Sequence, residues 1–165
     1  MSNLPKVLAS EAKIRFPDCD PFNHLNNGSY MDYFMNHRDD VLIENYNIDI
    51  YKMALKIGKS WVSSTNQIAY LKPALLSEKV IIESKVIAFT NSELQVEMCM
   101  YNKDKSHLKA MLWSGFVHYN LKNQKRETHS EDLMQLFKSV VIPVKEHTFE
   151  ERLKEIKSFN LTKEV

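Results

Sequence analysis

Glycine is scarce in this chain, with only Gly28, Gly58 and Gly115 among 165 residues. Three isolated glycines cannot build the glycine-rich loops that cradle phosphates in dinucleotide- and triphosphate-binding proteins, and neither pattern occurs. The glycine content therefore argues against a nucleotide-binding fold.

Cysteine is also rare, and its spacing carries no metal or disulfide signal. Cys19 and Cys99 lie far apart in the sequence, which provides neither a disulfide framework nor a zinc-binding pair. His24 and His37 lack a close partner and an acidic third ligand. We therefore expect no metal and no cofactor.

A large net charge and long apolar runs are absent too. Lys and Arg number 22 against 21 for Asp and Glu, so the chain has no strong field to steer nucleic acid or an anionic membrane. No segment approaches the about 20 apolar residues of a membrane-spanning helix, and residues 1–10 do not resemble a secretory signal. We expect a cytoplasmic protein without nucleic-acid or membrane partners.

Hydrophobic periodicity predicts one strand, one long helix and four further strands. The first strand is expected at 13–16 and the helix at about 27–45; the later strands are expected at 60–71, 79–89, 93–102 and 107–120. Turns as short as these can join only antiparallel strands. Helical patterns recur at 131–138 and 148–158, the second typical of an exposed amphipathic helix.

This order predicts an α+β fold in which a five-stranded antiparallel sheet wraps around one central helix. We expect a single domain over residues 1–165, with its core at about 13–121 and a C-terminal helical extension at 122–165. The other face of the sheet would be partly bare, which predicts burial against a second copy of the chain.

The densest cluster of functional side chains is the signature loop, residues 18–28, with the sequence DCDPFNHLNNG. It connects the first strand to the helix. Asp20 would lie near the first N–H groups of that helix, which carry partial positive charge and can hold a developing oxyanion. A carboxylate acting as base or nucleophile beside such a helix start suits attack on an activated carbonyl.

The same residues allow other interpretations of this loop. Asp18 and Asp20 could be turn residues, since Asp before Pro often starts a turn. A calcium loop is excluded because Ser29 stands where a bidentate Glu is required. Cys19 has no histidine placed as its base, so a spacer role suits it better than a nucleophilic one. The turn and catalytic interpretations of Asp20 both stay open on these residues alone.

The segment DCDPFNHLNNGSY over residues 18–30 resembles the signature of hotdog-fold thioesterases, in the 4-hydroxybenzoyl-CoA thioesterase-like superfamily. The family's usual pattern is Asp-x-Asp-x-x-Gly-His-x-Asn-Asn-x-x-Tyr. The similarity extends to about residue 121, through segments 68–73, 77–80 and 110–120.

The resemblance implies a thioesterase that hydrolyses acyl-CoA across the subunit interface of a dimer or tetramer, without metal or redox cofactor. Asp20 matches the catalytic carboxylate, and N–H groups near Asn27 and Gly28 would polarise the thioester carbonyl. His24 and Asn27 would shape the loop or touch substrate, although Asn27 could equally cap the helix.

Two positions depart from the family pattern. Asn23 stands where glycine is usual; asparagine tolerates a left-handed backbone, but its side chain narrows the space near the loop, where it could contact substrate. Asn27 stands where some members have a histidine. Neither change removes Asp20.

Three further residues are candidates for substrate binding. Thr65 and Asn66 belong to a polar run in a strand that ought to be half-buried, and either could orient the attacking water or acid. Solvent-facing positions explain part of that run. Tyr30 is expected in the core first and in an acyl-binding wall second.

The sequence therefore predicts a hydrolase of acyl-CoA, and three alternatives remain. The acyl group could be carried by acyl-carrier protein instead of CoA. His24 beside Asp20 could serve hydration or dehydration of an acyl thioester. A non-catalytic module that binds acyl groups or lipids is the third alternative, and Asn23 is the best argument for it.

Overall fold

An antiparallel sheet curls around one long helix, as predicted. The computed structural model describes residues 3–161, with side chains to residue 159. The strands are β1 (Leu8–Lys13), β2 (Lys59–Tyr70), β3 (Lys79–Phe89), β4 (Glu93–Asn102), β5 (Leu108–Asn120) and β6 (Lys125–Arg126). Their order is β1-β3-β4-β5-β2, and the two-residue β6 pairs with β5. The α+β hotdog fold is thus confirmed, with one short strand more than expected.

Within residues 3–161, four α-helices accompany the sheet: α1 (Asn27–Tyr46), α2 (Ile50–Ile57), α3 (Glu131–Val140) and α4 (Phe149–Leu161). Helix α1 lies in the concavity of the sheet. Its buried residues, Tyr30, Phe34, His37 and Val41, recur three or four positions apart and so form one stripe. The helix ends at Asn47, whose left-handed backbone (φ 55°) is one that asparagine tolerates.

The main core lies between α1 and the concave face of the sheet. Phe34 is completely buried there, as are Ile82 on β3, Met98 on β4 and Leu112 on β5. Because such interiors are close-packed, they fix the distance of α1 from the sheet and with it the position of the helix start.

One local prediction was wrong, and one helix was not predicted. The first strand is Leu8–Lys13 rather than 13–16, because Phe16–Asp18 forms a 3-10 turn that leaves Phe16 76% exposed. Helix α2 was not predicted at all. Asp49 caps it by accepting the N–H groups of Tyr51 and Lys52.

The C-terminal extension covers part of the outer face of the sheet, which leaves less of that face bare than expected, and the amphipathic last helix packs one side on the sheet. The ring of Phe149 packs edge-on against Trp113 at 5.9 Å between ring centres. Arg152 on α4 donates to the buried carboxylate of Glu97 on β4. Since the C-terminal extension already covers part of this face, a second copy of the chain is less needed to bury it.

One edge of the sheet is long and open. Strand β2 has 12 residues, and all six residues from Val62 to Gln67 are exposed. The opposite edge, β1, has only six residues. Among the helices of residues 3–161, none is long and apolar enough to span a membrane.

Candidate active site

The signature loop folds back on itself as a small hairpin that carries Asp20 beside the start of α1. Cys19 and Leu25 form an antiparallel bridge. The N–H of Asp20 donates to the carbonyl of His24 at 2.8 Å, and the N–H of Asn26 donates to the carbonyl of Asp18 at 2.8 Å. These bonds fix the position of residue 20 relative to the start of α1.

Asn23 makes the tight turn of this hairpin with a left-handed backbone (φ 61°). Its N–H donates to the carbonyl of Asp20 at 3.1 Å. The prediction that asparagine preserves the turn usually made by glycine is therefore confirmed. The side chain of Asn23 is exposed.

The carboxylate of Asp20 is half-buried and participates in the turn through one oxygen. Its Oδ1 accepts the N–H groups of Phe22 at 2.9 Å and His24 at 3.1 Å. Asp20 is therefore a turn residue, as one interpretation of the sequence predicted. Because both N–H groups bond to the same oxygen, Oδ2 lies outside these two bonds, and a role in the turn does not preclude a role in chemistry.

Asp18 has a different environment from Asp20. Its Oδ2 accepts the hydroxyl of Tyr33 on α1 at 2.8 Å. Burial raises the pKa of the Tyr33 hydroxyl, and the neighbouring Asp18 carboxylate raises it further, which keeps this hydroxyl protonated as a donor. Asp18 therefore ties the loop to the helix.

The segment that connects β2 to β3 bonds to the signature loop and to α1. The N–H of Leu25 donates to the carbonyl of Ala74 at 2.8 Å, and the N–H of Ala74 donates to the hydroxyl of Tyr30 at 3.1 Å. Tyr30 is only 2% exposed, so it is a core residue first, as expected. The ring of Tyr70 packs edge-on against Tyr30, and the Tyr70 hydroxyl donates to the carbonyl of Asn27 at 3.1 Å.

The start of α1 is exposed and open in front. Asn26 is the N-cap, with its side chain accepting the N–H of Gly28 at 3.2 Å, so Asn27 is not the capping residue. A Cβ placed on Gly28 would meet only Asn26 Oδ1, at 3.8 Å. The Cα of Gly28 therefore borders open space at the helix start, while the Gly28 N–H bonds to the Asn26 side chain.

Two aromatic residues in contact with the signature loop were not predicted from the sequence. Phe22 is 77% exposed at the tip of the signature loop, with its ring centre 6.5 Å from that of His24. Tyr70 bonds to the helix start from β2. The family pattern specifies neither position. The one signal for Phe22 in the sequence is that it is an aromatic residue in a polar loop.

Thr65 and Asn66 lie on β2, away from the signature loop. The side chain of Asn66 accepts the hydroxyl of Ser114 at 2.6 Å and donates to Ser63 at 3.0 Å. Within the described part of one protomer, no hydrogen bond or ring contact joins either residue to the loop. The structure thus groups Asp20, His24, Asn23, Asn27 and Gly28 together and leaves Thr65 and Asn66 apart.

Metal coordination has no candidate in residues 3–161, where no three His, Cys, Asp or Glu side chains are grouped to hold an ion. Cys19 and Cys99 are both free thiols. Burial raises the pKa of the Cys99 thiol to about 12, so it stays protonated and unreactive.

Comparison with known proteins places this site in a family. A model of the thioesterase-like superfamily matches residues 14–137, which include the whole signature loop. The chain belongs to the thioesterase-like superfamily. The resemblance found in the sequence is confirmed, and membership supports thioester hydrolysis as the class of reaction. No curated protein sequence matches the chain significantly.

Solved structures share the fold of this superfamily member at low sequence identity. A probable thioesterase from Escherichia coli is 22% identical (TM-score 0.69), covering 82% of this chain and 99% of its own. A DHNA-CoA thioesterase from Staphylococcus aureus is 17% identical (TM-score 0.74), covering 81% and 90%. A hypothetical protein from the same species, in complex with CoA, is 10% identical (TM-score 0.74), covering 89% and 94%. At these identities the similarity demonstrates the fold alone.

Proposed function

We propose that this protein hydrolyses acyl-CoA thioesters to the free acid and CoA, with Asp20 as the reacting carboxylate. The observation that carries the proposal is the hairpin of the signature loop, which holds a half-buried carboxylate beside an open helix start. A thioester carbonyl whose oxygen faces the first N–H groups of α1 would be polarised by them.

Two chemical routes use the same geometry. As a general base, Asp20 takes a proton from water while the water oxygen forms the new bond to the carbonyl carbon; the C–S bond then breaks, and the CoA sulfur leaves as thiolate or takes up a proton. As a nucleophile, an Asp20 oxygen attacks the carbonyl carbon and the C–S bond breaks, which releases the CoA thiolate and leaves an acyl anhydride; water then cleaves the anhydride to the free acid and the Asp20 carboxylate. In both routes the helix start stabilises the negative charge on the carbonyl oxygen.

The other loop residues take positioning roles in this proposal. His24 fixes the carboxylate through its backbone N–H, and Asn23 gives the hairpin its left-handed turn. The N–H groups near Asn27 and Gly28 are the proposed oxyanion donors. The bond from Gly28 to the Asn26 side chain, at 3.2 Å, is long enough for a substrate oxygen to compete for the same N–H.

We also propose that two copies pair through the β2 edge. A long exposed edge strand presents unpaired N–H and C=O groups, and an antiparallel pair about a two-fold axis closes both edges at once. This pairing would bring Thr65 and Asn66, on the exposed part of β2, into an interface where substrate could meet them. CoA is the proposed carrier because a relative of the same fold was solved with CoA. The cytoplasm is the proposed location.

The test is release of free thiol from a panel of short, long and aromatic acyl-CoAs, with wild type beside Asp20→Asn. Asparagine keeps the oxygen that accepts the Phe22 and His24 N–H groups, so the loop should keep its shape. We expect kcat to fall by about 10²–10⁴-fold, the usual contribution of a general base. Asp18→Asn is the matched control in the same loop, because the Asp18 side chain accepts the Tyr33 hydroxyl and an amide oxygen can still accept it.

Each outcome decides one part of the proposal. Full activity in Asp20→Asn would remove Asp20 from the chemistry. No thiol release from any CoA ester by wild type would overturn the CoA proposal. Acyl-carrier-protein esters would then be assayed, and equilibrium binding of the same esters without turnover would identify a binding module.

A further inference from the structure

Strand β2 ends at Tyr70, whose hydroxyl donates to the carbonyl oxygen of Asn27 at 3.1 Å. That carbonyl and the N–H of Gly28 belong to one peptide group, which is planar and conjugated. Tyr70 therefore bonds to the acceptor end of the same peptide group whose donor end is a proposed oxyanion donor. A side chain on the sheet is thus connected to the helix start at the atom group that the chemistry uses.

The N–H of Gly28 is held more loosely than the N–H that follows it in α1. The N–H of Ser29 donates to the backbone carbonyl of Asn26 at 2.8 Å, a normal length. The N–H of Gly28 donates to the Asn26 side chain at 3.2 Å, at the long end for such a bond. The weaker of these two bonds is the one that a substrate carbonyl oxygen can replace.

The ring of Tyr70 is held by Tyr30. The two rings meet edge to face, with their centres 5.1 Å apart and 68° between their planes. Tyr30 is 2% exposed, and its hydroxyl accepts the N–H of Ala74 at 3.1 Å. This contact directs the Tyr70 hydroxyl toward the Asn27 carbonyl. A phenylalanine would make the same ring contact, so packing does not require the hydroxyl.

A hydrogen bond to a carbonyl oxygen makes the N–H of the same peptide group a stronger donor. The bond draws electron density toward the oxygen, and hydrogen bonds in a chain strengthen one another by about 10–30% per bond. In a regular helix the Asn27 carbonyl also accepts the N–H four residues on, and its two lone pairs allow both bonds. Tyr70 therefore increases the partial positive charge on the Gly28 N–H.

The bond from Tyr70 has room to strengthen during the reaction. Bonds between a hydroxyl and an oxygen cluster at about 2.7–2.8 Å, whereas this one is 3.1 Å long. When the Gly28 N–H donates to a developing oxyanion, electron density shifts onto the Asn27 carbonyl, which then accepts the Tyr70 hydroxyl more strongly. An interaction that grows with the charge on the reacting oxygen stabilises the transition state more than the bound substrate, and so acts on kcat rather than KM.

We propose that Tyr70 is a positioning residue of the hydrolytic site: its hydroxyl orients and polarises the peptide group between Asn27 and Gly28, which strengthens the Gly28 N–H as an oxyanion donor. The inference rests on the proposed function, in which N–H groups near Gly28 hold the oxyanion. It adds to the site a residue 43 positions from Asn27 in the chain. In this role Tyr70 transfers no proton and does not touch the reacting atoms.

Tyr70→Phe tests this role, because it removes the hydroxyl and keeps the ring that packs against Tyr30. On the best acyl-CoA of the panel we expect kcat to fall about three- to tenfold, the effect of one neutral hydrogen bond, with KM within about twofold of wild type. Deleting an oxyanion donor costs about 10²–10³-fold; the loss here is smaller because the Gly28 N–H remains. Tyr46→Phe is the matched control, because that hydroxyl also donates to a backbone carbonyl, of Pro5, and lies at the other end of α1.

An infrared measurement reports the polarisation itself. An acyl-CoA labelled with ¹³C at its carbonyl is bound to Asp20→Asn, in which turnover is expected to be slow, and isotope-edited difference spectra record its C=O stretch. Donors at the oxyanion position lower this frequency relative to the free ester. When Tyr70→Phe is added to Asp20→Asn, we expect the shift to shrink by about 10–30%, the cooperative share of one bond. Tyr46→Phe in the same background should leave the shift unaltered.

The outcomes separate this inference from the proposed function. Wild type inactive on every CoA ester overturns the proposed function and this inference with it. An active wild type whose kcat, or whose carbonyl shift, is the same without the Tyr70 hydroxyl overturns the inference and leaves the hydrolase standing. A rise in KM with kcat unchanged also overturns it, because the hydroxyl would then contact the bound substrate. A fall in kcat that Tyr46→Phe reproduces, or that comes with a changed oligomeric state, overturns it as well.

Discussion

Gly115 on β5 pairs directly with Thr65 on the neighbouring strand β2. A Cβ on Gly115 would come within 2.5 Å of Thr65 Oγ1 and within 3.1 Å of Ser64 Oγ. The pairing of β2 with β5 is irregular at this point, with a shift between Ser63 and Thr65. Because Gly115 has no side chain, β5 leaves room for the hydroxyl groups of Ser64 and Thr65 at this irregularity of β2.

Gly115→Ala should accordingly destabilise the fold. Alanine is normally favoured over glycine in a strand, but here its methyl group would lie 2.5 Å from Thr65 Oγ1, so the Thr65 side chain must shift, and overpacking of this kind costs about 1–3 kcal/mol. Urea unfolding measures the loss. Thr65→Ala in the same chain should restore most of it. Gly28→Ala is the control, because its Cβ has free space, and it should not lower stability.

The left-handed turn at Asn23 provides a second prediction. At φ 61° a β-branched side chain is strained, so Asn23→Val should cost about 1–2 kcal/mol, whereas Asn23→Gly should change the free energy of unfolding by less than about 0.5 kcal/mol. Thermal unfolding of the two variants measures this difference. Equal stability of the valine and glycine variants would mean that residue 23 leaves the left-handed region in solution.

The third prediction concerns the attachment of α4. Glu97 is 3% exposed and accepts bonds from Arg152 at 2.8 and 3.0 Å and from Trp113 at 2.9 Å. Burial alone would raise the pKa of Glu97, but Arg152, Trp113 and Lys85 outweigh it and lower the pKa. The carboxylate therefore stays charged while its partners are present.

Arg152→Met should free α4, because it leaves a buried charge without its main partner, a loss of about 3–5 kcal/mol in comparable sites. The measurement is protease cleavage within residues 145–161, together with urea unfolding. Arg126→Met provides the control: it breaks an exposed pair with Glu93, worth at most about 1 kcal/mol. Equal protection of α4 in both variants would contradict the anchoring role.

The parts of the fold that the sequence predicted are the long elements. Helix α1 was expected at 27–45 and is Asn27–Tyr46, and the strand expected at 93–102 is β4. Strand β1 was misplaced because small and charged residues alternate in it and only Leu8 is buried. Helix α2 was missed because it is a single short element with several apolar residues exposed, such as Leu55 at 87%.

The candidate site also has features that the sequence predicted and features that it did not. The hairpin of the signature loop depends on residues adjacent in the chain, so its turn and the place of Asp20 could be expected from the sequence. The distance of Thr65 from that loop, the space that Gly115 leaves for Thr65, and the bond from Tyr70 to the start of α1 depend on contacts between elements far apart in sequence. No local pattern encodes such contacts, and only the assembled sheet reveals them.

The last prediction concerns acid sensitivity through His37. This histidine is 3% exposed, with Nδ1 2.6 Å from Ser10 Oγ and Nε2 2.9 Å from Ser84 Oγ. Burial lowers its pKa to about 4, whereas a histidine in an unfolded chain titrates near 6.5. Between these two values the unfolded state binds the extra proton. Stability from this group is therefore complete above pH 6.5 and is lost as pH falls toward 4.

The loss amounts to about 1.4 kcal/mol per pH unit, or roughly 3 kcal/mol over the whole window. His37→Gln removes the titrating group while its amide can still donate and accept. Urea unfolding between pH 6.5 and 4.5 should give a pH slope shallower than wild type by about one proton. His118 and His129 should keep part of the slope in the variant, because burial lowers their pKa values as well. An unchanged slope would show that His37 does not stay neutral in the core.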